Sequence, residues 1–141
     1  MDIRGLTLHR PWPYAIMHLG KDIENRTWKP SGRFLGNYLA IHAGKQWDYQ
    51  AVQFIYKITG QLLTPEICTP AGHIAGVVKL TGFETEHESP WFMGPVGWLL
   101  DDITPIKPGI AIVGRQGLWQ LPLNVRRMVR AAWAEAQQPR I

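Results

Sequence analysis

Hydrophobic positions along this chain change their spacing repeatedly, and each change marks a new element. Residues 3–8 (IRGLTL) predict a first strand. Residues 11–19 follow as a short helix. Trp12, Ile16 and Leu19 recur at helical spacing, the prolines sit where a helix starts, and Gly20 is a natural stop. Residues 23–28 alternate again, so a strand there puts Glu24, Arg26 and Trp28 on one face. Residues 29–32 (KPSG) predict a turn. Residues 38–42 predict the next strand, with Tyr38, Ala40 and His42 on one side.

Residues 46–58 carry Trp47, Ala51, Phe54, Ile55 and Ile58 as an apolar stripe. They predict a helix capped by Asp48 and ended by Gly60. A loop follows over 61–72, with one helical turn opening at Thr64-Pro65-Glu66. Residues 73–84 predict a long strand with Gly76 and Gly82 on the same face, where a strand bends or lets something approach. After a loop over 84–97, short strands are predicted over 96–100, 110–113 and 118–121. The clearest helix spans about 124–138. Val125, Met128, Val129, Ala132, Trp133 and Ala136 form its stripe, and Arg126, Arg127 and Arg130 lie off it, so they are expected at the surface. Strands mixed with three helices make an α+β chain, and 141 residues fit one domain, 1–141, with a core of its own.

Composition narrows the function. The formal charge of +4 is uneven. Residues 1–45 carry seven Lys/Arg against three acids, residues 46–123 four against seven, and residues 124–141 four Arg against Glu135 alone. A basic front and tail suit a partner that is anionic on one face, nucleic acid above all. The single cysteine, Cys68, excludes an internal disulfide and sits among prolines with no basic neighbour in sequence, so it is read as inert. No metal-ligand spacing, Walker loop or nucleophile elbow is present, and neither a metal nor a cofactor is expected. No apolar run reaches the ~18 residues of a membrane span, and the first residues lack a signal-peptide pattern, so no membrane and a cytoplasmic setting are expected.

Four stretches carry a family resemblance: LTLHRPW at 6–12, GKDIENRTW at 20–28, YLAIHA at 38–43 and GRQGLW at 114–119. Together they resemble the ASCH domain of the PUA-like superfamily, over roughly residues 3–121. The resemblance implies a small PUA-like mixed β-barrel with flanking helices. It also implies RNA, another single-stranded nucleic acid or a modified nucleoside as partner. Some ASCH proteins are amidohydrolases that remove an acetyl group from the exocyclic amine of cytidine with a Lys, a Thr and a Glu. Lys21 matches that lysine, Glu24 stands where the threonine would be, and Thr27 is nearby. Ribonuclease activity is attributed to other relatives, for which His9 and His42 are the acid–base candidates.

The residues themselves outline a site. Lys21, Glu24 and Arg26 form a polar cluster expected at a pocket mouth, where the two cations would hold an anion and Glu24 would accept from a base. The alternative is a Glu–Arg pair that pins the strand to the first helix. His9, Arg10 and Trp12 face that cluster. Trp12, Trp28 and Trp98 are candidates to stack on a base, or to pack. His42 is either a site residue or a satisfied core histidine, and Lys45 either a phosphate ligand or a solvated lysine. Arg115 and Gln116, on a turn between glycines, would take a phosphate and a base edge. The Pro/Gly loop at 89–98 is either a stacking platform or a plug.

Overall fold

The computed structural model describes residues 2–139; Arg140 of the basic tail lies outside them. The elements run β1 (Ile3–Arg10), α1 (Trp12–His18), β2 (Ile23–Arg26), β3 (Tyr38–Trp47), α2 (Tyr49–Thr59), β4 (His73–Glu84), β5 (Val96–Ala111), β6 (Leu118–Gln120) and α3 (Leu123–Ala136). Short 3₁₀ turns at Gly32–Phe34 and Pro65–Ile67 fall in the predicted turn and loop. The class is α+β, as the pattern predicts. Among the described residues no helix is long and apolar enough to cross a membrane.

All six strands join one sheet in the order β2-β5-β4-β3-β1-β6. β1 runs parallel to β3, and every other pairing is antiparallel. The expected barrel is not closed: β2 and β6 are the sheet's two edges, and among the described residues no pairing joins them. With four and three residues, these edges offer few groups for a closing ladder. The sheet is instead strongly curved. Register shifts between Leu8 and Arg10, between Ile41 and His42, and at three points between β4 and β5 supply the bends.

The strands expected over 96–100 and 110–113 are one strand of 16 residues, β5. The gap between those two expected strands holds Asp101, Asp102, Pro105 and Pro108, residues that disfavour a regular ladder. In the fold β4 spans both halves, pairing Leu80 with Leu100, Val77 with Thr104 and Ile74 with Ile110, and a bulge between Ile74 and Gly76 takes up the proline segment. Asp102 takes a positive φ of 47° in that strand and accepts a hydrogen bond from the Tyr38 hydroxyl at 3.1 Å.

Helix ends follow the residues. The Asp48 carboxylate accepts from the Ala51 N–H at 3.0 Å, and Gly60 ends α2 in the left-handed region. α1 buries Ala15, Ile16 and Met17 against the sheet. Gly76 is where it comes closest: a Cβ there would stand 2.4 Å from Met17 Sδ and 2.5 Å from the Thr104 carbonyl. α3 seats Val125 and Val129 fully. Met128, predicted in the same stripe, is 52% exposed, because α3 lies on the outside of the sheet and only its central line touches the core. Arg127 and Arg130 are exposed as expected, whereas Arg126 is half-buried on the flank of the helix. Trp119 closes the core beside β1, its ring lying flat over Gly5, where a Cβ would come within 2.4 Å of the indole. Gly5→Ala should therefore force the tryptophan out of place and cost about 1–3 kcal/mol or more, as overpacked cores do. Urea unfolding of the variant checks this, and an unchanged midpoint would contradict the packing described.

Candidate functional site

The motif behind α1 folds inward. Gly20, at φ 77°, turns the chain so that the Lys21 N–H still bonds the Ala15 carbonyl at 3.1 Å while its side chain enters the protein. Lys21 is 1% exposed. Its ammonium donates to the Ile23 carbonyl and, at 3.1 Å, to Glu24 Oε1, and it lies 5.0 Å from the centre of the Trp12 ring. Glu24, itself buried, places Oε2 3.3 Å from Arg26 Nε, an ion pair without hydrogen-bond alignment. The half-buried Arg26 guanidinium also lies 5.9 Å from the centre of the Trp98 ring. Lys21 is thus not at a pocket mouth. The three charges form a line from the protein interior outward, with Arg26 at its outer end.

Arg26 reaches a cleft of about 1100 Å³ between the two edges of the curved sheet. Thr7 and His9 of β1, His42, Gly44, Lys45 and Gln46 of β3, Ala111 at the end of β5 and the following segment through Gly117 line it. Six sequence candidates therefore meet there: His9, Arg26, His42, Lys45, Arg115 and Gln116. Among the described residues the lining holds three fixed cations, Arg26, Lys45 and Arg115, and no Asp or Glu. Such a lining favours an anion.

Other candidates lie elsewhere. Arg10 braces the end of β3, donating to the Gly44 carbonyl at 3.1 Å and the Lys45 carbonyl at 3.2 Å. Trp98 is fully buried and so offers no face for stacking; its indole N–H donates to the Trp28 carbonyl at 3.0 Å. Trp28 packs edge-on against it and is 41% exposed. Trp12 is half-buried against Phe54. Thr27 is exposed and outside the cleft lining. The loop at 89–98 is a plug: Trp91 is buried, and Asn25 ties it down by donating to the Trp91 carbonyl at 3.0 Å and accepting from the Met93 and Gly94 N–H groups. Burial pushes the Cys68 thiol up to about 11, against a weaker pull from Arg10, so it is a neutral thiol at neutral pH.

The cleft floor contains residues the sequence reading missed. The Trp119 indole N–H donates to Thr7 Oγ1 at 3.2 Å, and Thr7 Oγ1 lies 3.1 Å from His42 Nδ1. His42 Nε2 lies 2.7 Å from the Ile112 carbonyl, which can only accept. The proton is therefore on Nε2, Nδ1 accepts from the Thr7 hydroxyl, and every polar atom of the chain is satisfied with a neutral ring. Gly114 lies over this pair, and a Cβ there would be 2.5 Å from Thr7 Oγ1 and 2.7 Å from His42 Nδ1. Thr7 shares a strand face with His9, and that alternation was the one available signal.

Burial lowers the His42 pKa below its usual 6.5, with the bond to the Ile112 carbonyl offsetting part of the effect. His18 is lowered too, by burial and then by Lys107. Below pH 6.5 the unfolded chain takes up protons that the folded ring refuses, so stability falls as pH drops through that value. Unfolding midpoints measured between about pH 7.5 and 5 should decline, and less steeply in His42→Gln. A pH-independent midpoint for the unaltered protein would contradict a buried neutral His42.

No family model matches the chain, and no curated protein matches it. Solved structures of an ASCH protein from Zymomonas mobilis do. A serine-to-alanine variant superposes with a TM-score of 0.57 at 16% identity, covering 92% of this chain and 95% of that one. A tyrosine-to-phenylalanine variant gives 0.53 at 15%, covering 93% and 98%. A third structure, described as ASCH from the same organism, gives 0.53 at 15%, covering 92% and 94%. At that identity the likeness concerns architecture, and it extends over nearly the whole of both chains. The chain has the fold of the ASCH proteins.

Proposed function

We propose that the cleft binds single-stranded nucleic acid, RNA in the first instance, with one nucleotide seated between the sheet edges. The observation that carries this is the lining: Arg26, Lys45 and Arg115 converge on one concavity that holds no acid among the described residues. Phosphates would sit on these three cations, with His9 at the rim, and the Gln116 amide would read a base edge. Lys21 and Glu24 would act through Arg26, fixing its Nε side so that its remaining N–H groups face the cleft. A single strand suits the site, since a base already unstacked enters at least cost. The association of PUA-like folds with RNA and modified bases supports the reading by analogy only. With Cys68 a buried free thiol, the proposed setting is the reducing cytoplasm.

The hydrolase alternative gains nothing from this geometry. Deacetylation with Lys21 as base or nucleophile would need its neutral amine turned to the substrate, whereas that nitrogen is bound to Glu24 and the Ile23 carbonyl and Lys21 does not line the cleft. An acid–base pair of His9 and His42 would need a free ring nitrogen on His42, and both are engaged.

Three phosphate contacts on a single strand predict a log–log salt slope of about −2, or roughly 20-fold weaker binding for a fourfold rise in salt. Lys45→Ala and Arg115→Ala should each reduce that slope by about 0.7. Fluorescence anisotropy with a labelled uridine oligonucleotide across a salt series measures both. A flat salt response, or slopes unchanged in both variants, would overturn the assignment.

A further inference from the structure

The surface beside the cleft continues its chemistry. Lys45 and Gln46 line the cleft, Trp47 ends β3, Asp48 caps α2 and Tyr49 opens it. This junction is held firmly. Arg10 bonds the Gly44 and Lys45 carbonyls, its guanidinium lies 5.7 Å from the Trp47 ring centre, and its own carbonyl accepts from the Asp48 N–H at 2.7 Å.

On α2 the apolar side, Ala51, Val52 and Ile55, faces the core. Tyr49, Gln53 and Tyr56 recur at i, i+4 and i+7 and share the opposite side. Tyr49 is 74% exposed and Tyr56 55%. Among the described residues neither phenol has a hydrogen-bond partner or a ring contact. Seven residues of helix set the two rings about 10.5 Å apart along the axis, far enough to take two different bases. Charge agrees with that occupant. Between His42 and Thr64 the single acid is Asp48, whose carboxylate is spent on the Ala51 N–H, while Lys45 and Lys57 flank the strip. The face thus shows two flat aromatic rings between cations, the combination on which unpaired bases stack while their phosphates meet charge.

We propose that Tyr49 and Tyr56 form a stacking strip that extends the cleft, so that a single strand leaving it past Lys45 lays successive bases on α2. This rests on the cleft being the nucleic-acid site, and the test keeps the two apart. The probes are labelled uridine tetranucleotide, short enough to stay in the cleft, and uridine dodecanucleotide, long enough to reach α2. The unaltered protein should bind the longer probe more tightly. Tyr49→Ala/Tyr56→Ala should weaken the dodecanucleotide about tenfold or more, leave the tetranucleotide unchanged, and be rescued by Tyr49→Phe/Tyr56→Phe, which keeps the ring face. Both tyrosines are exposed, so coincident thermal melts are expected for all three proteins. Equal affinity for the two probes, or a dodecanucleotide indifferent to the Ala variant while Lys45→Ala still weakens both, overturns the strip and leaves the cleft. Failure of both probes to bind at low salt overturns both. If the Ala variant instead abolishes self-association in sedimentation with RNA affinity unchanged, the face belongs to a second copy of the chain and the proposal falls.

Discussion

A buried ion pair organises this molecule. Lys21 and Glu24 are both removed from water, which costs several kcal/mol per ion and is repaid only by close, hydrogen-bonded geometry. The repayment here is the Glu24 carboxylate, the Ile23 carbonyl and the Trp12 ring around one ammonium, and Lys21 and Arg26 around one carboxylate. Removing either partner would strand a charge in the core at a cost of about 3–5 kcal/mol. The pair ties the end of α1 to the edge strand β2, and through Arg26 it sets a cation at the cleft. Fold and site thus share one electrostatic anchor, so a single substitution at Lys21 would change both.

The cleft itself is a consequence of an unclosed sheet. Because β2 and β6 do not pair, Arg26 on one edge and the Gly114–Gly117 turn before the other look into the same space. The floor is set by a line of donors running from Trp119 through Thr7 and His42 to the Ile112 carbonyl, which joins β6, β1 and β3 to the segment just after β5. Glycine at 114 lets that segment lie directly on the Thr7–His42 contact. A hydrogen-bonded floor beneath the long cationic chains of Lys45 and Arg115 divides the labour: the floor shapes the site and the rim holds charge.

Much of the fold was legible because local rules and tertiary structure agree. The span of β4, the Asp48 cap and the Gly60 stop are each dictated by residues within a few positions, and they occur as read. The α+β class and the resemblance to ASCH domains likewise lead to the fold observed. What was not legible depends on partners distant in sequence. Pro105 and Pro108 signal a break, yet β4 spans it with a bulge. Lys21 is expected at a pocket mouth, yet Glu24 and Trp12 enclose it, and Trp98, expected to stack on a base or to pack, is covered by Trp28 and Arg26. Of the cleft, the exposed basic and polar members were recognisable by type. Thr7 and Gly114 were not, since their importance lies in contact with His42, 35 residues from Thr7.

The proposed occupant of the cleft between the sheet edges is nucleic acid. Photo-crosslinking with a 4-thiouridine oligonucleotide, followed by mass spectrometric mapping of the adducts, tests it most directly. Adducts are expected only in the segments around His9, residues 42–46 and residues 111–117, with further adducts on Tyr49 and Tyr56 for long strands alone. Adducts concentrated instead on the exposed arginine face of α3 would contradict it and assign binding to that helix.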